Sequence, residues 1–150
     1  MEIRRTNLSE PEVVALLQYH LEDVARLSPG NLVHVVDVER LARPDIDVFA
    51  GWREHSVLAI GAIRNDKSFA EIKSMRTNPR ALRQGAGRTM LMFLIGHARE
   101  RGHRSVKLET GSAESYQAAR GLYLSVGFKP CGPFAEYEAN DISQFFSLDI

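Results

Sequence analysis

Hydrophobic residues near the N-terminus recur every three or four positions, as they do on the buried face of a helix. The set consists of Val13, Leu16, Leu17, Leu21 and Val24. Pro11 stands where the first turn is expected, and Ser28-Pro29-Gly30 is a strong stop signal. The pattern predicts a long helix between these signals. A short second helix is expected over residues 37–41, before Pro44.

The same period returns in the second half of the chain. One apolar face is formed by Met90, Leu91, Leu94, Ile95 and Ala98. Polar residues occupy the opposite side of this helix, which Gly102 should end. Residues 114–126 are expected to form another helix, ended by Gly127.

Apolar and polar residues alternate over shorter runs, as they do in strands. These runs cover residues 3–6, 47–52, 57–63, 69–77, 105–110 and 144–150, with another beginning at Phe128. Short polar turns at 53–56 and 65–67 join three of them into an antiparallel meander. The predicted order is β-α-α-β-β-β-α-β-α-β-β, a mixed α/β sheet with helices on its faces, within one domain over residues 1–150.

Composition excludes several classes of function. Nineteen basic residues balance nineteen acidic ones, so no overall positive charge attracts nucleic acid. The longest apolar run, residues 90–95, is too short to cross a membrane. A single cysteine, Cys131, and the absence of a signal-like stretch favour the cytoplasm. The five histidines lack metal-ligand spacing, so no metal is expected.

The segment between the 69–77 strand and the following helix contains Gly85-Ala86-Gly87. Two glycines allow a tight turn, and the helix start behind them offers free N–H groups to a phosphate. Alone, the pattern is equally consistent with a plain turn. A Rossmann fingerprint would need glycine where Met90 stands, and no Gly-Lys-Ser/Thr run is present for a P-loop.

Residues 69–89 resemble motif A of the GNAT acetyltransferase superfamily, in which a bulged strand precedes Q/R-x-x-G-x-G/A. Leu82 occupies the first position of that pattern, which leaves the backbone cradle with Arg83 beside it. Downstream, Ala119 to Tyr123 and Gly127-Phe128 resemble motif B, with Tyr116 where the family often has asparagine. The resemblance covers residue 48 to the C-terminus. Three further segments, 71–77, 108–111 and 131–134, are similar to a bacterial subgroup of mostly predicted acetyltransferases.

The resemblance implies a GNAT-type fold, with a largely antiparallel sheet of six to seven strands and helices on both faces. It implies acetyl-CoA as cosubstrate, bound mainly by backbone groups and by arginines at the glycine turn. The cofactor-binding residues implied are Met75, Arg76, Thr77, Arg83, Gln84, Gly85, Ala86, Gly87, Arg88, Thr89, Tyr116 and Ala119.

The resemblance also implies direct attack of an amine on the thioester. Glu71 is the candidate general base, the alternative being a solvated strand carboxylate. Tyr123 is the candidate general acid for the thiolate, the alternative being a tyrosine that packs and hydrogen-bonds. A backbone N–H near Met75 is expected to bind the oxyanion. Cys131 is interpreted as a small buried hydrophobe rather than a nucleophile.

The acceptor is expected to be a primary amine of a small molecule or a protein. The alternative is a catalytically silent module that binds or senses acyl-CoA. An acidic rim or a solvated turn is formed by Glu109, Glu136, Tyr137, Glu138 and Asp141. A homodimer through an apolar edge at Phe145-Phe146 is a further hypothesis.

Overall fold

A computed structural model describes residues 1–27 and 38–150 of the chain. Its strands are β1 (Glu2–Arg5), β2 (Ile46–Arg53), β3 (Ser56–Asn65), β4 (Ala70–Thr77), β5 (Ser105–Gly111), β6 (Lys129–Cys131) and β7 (Ser143–Asp149). Its helices are α1 (Pro11–Leu27), α2 (Val38–Leu41), α3 (Ala86–Glu100) and α4 (Gln117–Val126). The predicted stop of the first helix at 28–30 and the predicted helical position Asp37 lie outside the described residues.

The seven strands form one sheet in the order β1-β2-β3-β4-β5-β7-β6. Within the described ranges, β4 and β5 are the one parallel pair, and every other pairing is antiparallel. The predicted element order and the largely antiparallel sheet are therefore confirmed. The predicted helix over 114–126 begins with a 3-10 turn at Glu114–Tyr116 before α4 starts.

Helices cover both faces of the sheet. The α3 face predicted from the sequence is confirmed, because all five of its apolar residues are buried in one core cluster that also contains Tyr123 of α4. Residues of α1 and α2 pack on the other face, against β2 and β3. No helix within 1–27 and 38–150 combines the length and the apolar character that crossing a bilayer requires.

A β-bulge in β4 gives the site its shape. Ile60 pairs with Arg76 and Ala62 pairs with Lys73, so Ser74 and Met75 together face only Gly61. Ser74 adopts φ 51°, a left-handed conformation that is uncommon for a side chain other than glycine. The extra residue shifts the alternation of side chains between the two faces from this point onward.

β4 and β5 separate at the same level. Their pairing covers only Ala70 to Ile72 on β4, and β5 then continues beside β7 through Gly111. The second half of β4 therefore has a backbone edge with no strand paired to it on the β5 side, within the described residues. The sheet therefore opens between β4 and β5 beyond Ile72.

The hypothesis of a dimer through Phe145-Phe146 is wrong as to the surface. β7 lies between β5 and β6, so it is not an edge strand. Both phenylalanines are buried within the chain. Phe145 packs against Phe69 and Phe134. Phe146 lies in the main core beside Tyr123. The sequence suggested an exposed edge because it does not show which residues cover the side chains on the two faces of β7.

Candidate active site

A cavity of about 380 Å³ occupies the gap between the separating strands. The predicted site residues among its lining are Glu71, Met75, Arg76, Thr77, Gly87, Tyr116, Ala119 and Tyr123. The other predicted residues, Arg83, Gln84, Gly85, Ala86, Arg88 and Thr89, surround the turn at the start of α3 instead. Leu82, the departure from the motif, also lines the cavity.

The glycine turn ends at an uncapped helix start. Gly85 is the N-cap of α3 with φ 83°, and no side chain caps this end of the helix. Arg83 has φ 61°, so both Arg83 and Gly85 adopt a left-handed backbone conformation in this turn. The first N–H groups of α3 have no intrahelical acceptor and carry the positive end of the helix dipole. This end of the cavity is suited to an anion.

Side chains around the turn are held by nearby groups. The Thr89 hydroxyl donates to the Gly85 carbonyl at 3.0 Å, and Arg53 donates to Gln84 at 3.2 Å. Arg88 donates to the Ser125 hydroxyl of α4 at 3.0 Å. Ala86 is buried in the core, so only its backbone is available to a ligand.

Gly87 of α3 lies close to Thr77 at the end of β4. A Cβ atom at this position would lie 2.8 Å from the Thr77 Oγ1 atom, too close for an ordinary contact. The absence of a side chain therefore brings the helix start directly against the unpaired edge of β4.

The bulge turns the Arg76 side chain toward α1, and this side chain also lines the cavity. Its Nε atom donates to His20 Nδ1 at 2.9 Å, and its Nη1 atom lies 2.9 Å from Asp23 Oδ2, both on α1. Burial, reinforced by the Arg76 charge, lowers the pKa of His20 to about 4. The imidazole is therefore neutral near pH 7, and its Nδ1 atom accepts a hydrogen bond from the Arg76 guanidinium. The role of Arg76 in cofactor binding stays a prediction.

Tyr123 extends from α4 into the core and lines the cavity. Its ring packs edge-on against Phe128, with centroids 5.9 Å apart, and lies near Phe146. Burial raises the pKa of its phenol to about 12, with the Arg76 charge opposing the shift. Among the residues that the structure describes, none is hydrogen-bonded to its hydroxyl. The phenol is therefore protonated and available to a ligand, which the hydrogen-bonding alternative does not match.

Glu71 is not solvated, because it is 1% exposed. Its Oε1 atom accepts from Arg64 Nε at 2.9 Å, and its Oε2 atom accepts from Lys73 Nζ at 3.2 Å and the Tyr137 hydroxyl at 2.6 Å. A carboxylate has about four lone-pair sites, so these three donors leave one acceptor position, on Oε1. The solvated alternative is wrong, and the choice between base and structural carboxylate stays a prediction.

The late loop contributes unequally to the cavity. Glu109 lines it, and Tyr137 reaches Glu71, whereas Glu136, Glu138 and Asp141 are exposed and outside the lining. Burial, reinforced by the Glu71 and Glu109 charges, raises the pKa of the Tyr137 phenol. The acidic rim is therefore reduced to one of its four carboxylates.

Tyr116 and Cys131 occupy packed positions. The Tyr116 ring lies so close to Gly111 that a Cβ on that glycine would come within 2.2 Å of it. Cys131 packs beside Phe69, Phe134 and Phe145 in a small cluster, and burial raises the pKa of its thiol. A raised pKa disfavours the thiolate, as expected for a cysteine that is not a nucleophile.

Three ionisable residues of the cavity lining were not predicted as site residues from the sequence, namely His20, Asp23 and Lys73. The two on α1 carry no local signal, because only the shift at the bulge brings Arg76 to them. Lys73 has one: two positions after Glu71 in a strand places it on the same face. In the described part of the chain, no group of three or more side chains has the arrangement of a metal site.

The chain is thus a mixed α/β protein whose sheet separates between β4 and β5, with a cavity at the separation and the uncapped start of α3 beside it. The model of the acetyltransferase (GNAT) family matches residues 11–128, so the chain belongs to that family. The resemblance stated from the motifs is confirmed, and the chain is assigned to a family of acyltransferases.

Relatives agree over almost the whole length. The uncharacterized N-acetyltransferase YsnE of Bacillus subtilis is 36% identical over 148 residues, which cover 98% of each chain. The IAA acetyltransferase of Azospirillum brasilense is 34% identical over 146 residues, or 95% of this chain and 94% of the relative. A GNAT family acetyltransferase from Elizabethkingia anophelis, solved with acetyl-CoA bound, has a TM-score of 0.69 at 14% identity, covering 99% of this chain and 97% of that one. The last similarity shows the fold.

Proposed function

We propose that the protein transfers an acetyl group from acetyl-CoA to a primary amine by direct attack. The observation that carries this proposal is the protonated Tyr123 phenol, which faces the cavity beside the unpaired edge of β4. A catalytically silent module would not need a buried tyrosine whose hydroxyl has no partner among the described residues. Membership of an acetyltransferase family supports the same reaction.

Acetyl-CoA suits the residues present. Its pyrophosphate would meet the free N–H groups of α3, where Gly87 leaves room for close approach. Arg83 and Arg88 add positive charge at this end. The amide groups of the pantetheine arm would pair with the open edge of β4 near Met75 and Thr77, as an added strand does. The Elizabethkingia structure, with acetyl-CoA bound to the same fold, supports this donor.

The chemistry requires two proton transfers. An amine of pKa near 10.4 is protonated at pH 7, and removing that proton costs roughly 4–5 kcal/mol. We assign this step to Glu71, through its remaining acceptor position on Oε1. The neutral amine then attacks the thioester carbonyl, whose oxyanion is stabilised by a backbone N–H at the bulge near Met75. Tyr123 donates its proton to the departing thiolate as the tetrahedral intermediate collapses.

Thiol release tests the proposal. We expect the purified protein to liberate free CoA from acetyl-CoA when a panel of primary amines is added, and mass spectrometry should find the acetylated amine. Thermal stabilisation by CoA without turnover on any amine would support the silent module instead.

We also retain the cytoplasm as the proposed location, on the basis of the single cysteine.

Gly87→Ala should weaken cofactor binding without unfolding the protein. The methyl group would meet Thr77 and hold the pyrophosphate away from the helix start. We expect the KM for acetyl-CoA to rise about 10- to 100-fold, the range of one or two charge-assisted hydrogen bonds. Initial rates against acetyl-CoA concentration measure it.

Gly96→Ala is the matched control, since it adds the same methyl to the same helix with nothing within 4 Å. Its KM should equal that of the wild type. An unchanged KM in Gly87→Ala would contradict the assignment of the glycine turn to the cofactor.

A further inference from the structure

We infer that the acceptor carries a carboxylate in addition to its amine, and that Lys73 selects it. This inference rests on the proposed acetyl transfer and names the class of acceptor for the same site. The class is that of small amino carboxylates, in which an ammonium and a carboxylate belong to one molecule. Lys73 is a buried cation that has no role in the proposed proton transfers.

Lys73 is held in place with one donor to spare. Its side chain is 9% exposed and lines the cavity. Its Nζ atom donates to Glu71 Oε2 at 3.2 Å and to the Tyr137 hydroxyl at 2.6 Å. An ammonium has three N–H groups, and no third partner is found for it among the described residues. The third N–H group lies at the cavity and is open to an acceptor atom of a ligand.

The charges around Lys73 favour an anion as that partner. Glu71 is the buried carboxylate of this cluster, and it is shared between Lys73 and Arg64. The second counter-charge of Arg64 is Asp66, which lies in the turn before β4 and is 32% exposed. Within this hydrogen-bonded cluster, two cations therefore share the Glu71 carboxylate. Electrostatic attraction is stronger away from water, so an incoming carboxylate gains from this surplus.

The other charged groups that line the cavity complete a site for a zwitterion. The Arg76 charge is already paired with Asp23, which leaves Lys73 as the cation with the weaker counter-charge. Glu109 also lines the cavity, and the register of β4 with β5 places it on the same face of the sheet as Glu71 and Lys73. An ammonium near these carboxylates and a carboxylate at Lys73 match the two signs. A polyamine or a lysine side chain would bring a cation to Lys73 without neutralising it.

The test compares acceptors in pairs that differ by one carboxylate. Suitable pairs are histidine with histamine, phenylalanine with phenethylamine, lysine with cadaverine, and 4-aminobutyrate with propylamine. For the best pair, we expect kcat/KM to be about 10- to 100-fold higher for the carboxylate, the range of a hydrogen bond to a charged group. Lys73→Met should remove this preference, so that both members of a pair are acetylated with similar kcat/KM. Lys73→Arg should retain part of it.

Lys107→Met is the matched control. Lys107 lies directly opposite Glu71 on β5 and stacks on Phe69 and Phe134, and it is not part of the cavity lining. Lys107→Met removes the same charge from the same face of the sheet. Because Lys107 does not line the cavity, the acceptor preference should persist in this variant. Thermal unfolding of both variants separates a loss of binding from a loss of fold.

Calorimetry of the CoA-loaded protein provides a readout that does not depend on turnover. The preferred amino carboxylate should bind the wild type about 10- to 100-fold more tightly than Lys73→Met. Turnover of decarboxylated amines as fast as their partners would overturn the inference and leave the acetyl transfer standing. Equal loss with both members of a pair in Lys73→Met would overturn it too. If no amine is acetylated, the proposed function fails, and the inference is then decided by calorimetry, where absence of binding overturns it.

Discussion

Tyr123→Phe should reduce kcat by about 10²- to 10⁴-fold, the contribution expected of a positioned general acid. Phenylalanine retains the ring that packs against Phe128 and Phe146, so the core should remain intact. Only the hydroxyl that faces the cavity is removed. The KM for acetyl-CoA should stay close to that of the wild type, because the phenol is assigned to a proton transfer rather than to binding. Initial rates with thermal unfolding as a check measure both.

The pH dependence adds a second readout. Since burial raises the pKa of Tyr123 to about 12, the phenol is protonated throughout the range in which most enzymes are assayed. Activity should therefore not decline on the alkaline side below about pH 11 because of this group. Suppose instead that activity were lost on deprotonation of a group near pH 9, and that this loss were absent from the pH profile of Tyr123→Phe. That result would contradict a buried Tyr123 phenol.

Tyr19→Phe is the control for the loss of a phenol. Tyr19 lies on α1 with its ring 5.5 Å from the Arg76 guanidinium, and it is 41% exposed. Removing its hydroxyl leaves the ring on the arginine, so kcat should not change. Equal activity of Tyr123→Phe and the wild type would leave only a packing role for Tyr123.

The helical face of α3, the glycine turn and the order of helices and strands along the chain could be predicted from the sequence because each depends on neighbouring residues. Five apolar residues at helical spacing specify the buried face of α3 whatever lies against it. Gly87 is likewise a local signal, since a missing side chain next to a strand end points to close approach.

What could not be predicted depends on contacts between distant parts of the chain. The burial of Glu71 is one such case, because Tyr137, 66 residues away along the chain, donates a hydrogen bond to it. The bulge reverses the faces after Ser74, so Arg76 turns toward α1 although simple alternation would direct Met75 there. The family resemblance implied a bulge, but the side chain that it redirects became visible only in the fold.

Glu71→Gln should lower kcat/KM by about 10²- to 10⁴-fold if the carboxylate removes the proton of the amine. The amide keeps the shape of the side chain but cannot accept that proton. The residual rate should then follow the fraction of acceptor that is already neutral. It should therefore rise about tenfold per pH unit below the pKa of the amine. The wild type should show a shallower dependence, because the proton moves within the bound complex.

Stability separates this role from a purely structural one. Glu71→Gln leaves the buried Lys73 ammonium without its charge partner, and breaking a buried pair costs about 3–5 kcal/mol. The double variant Glu71→Gln with Lys73→Met removes both charges and should regain much of that stability, as chemical denaturation would measure. If the double variant also regained activity on decarboxylated amines, Glu71 would be a structural carboxylate. Recovery of stability with continued loss of activity, and with the steep pH dependence retained, is the result expected of a general base.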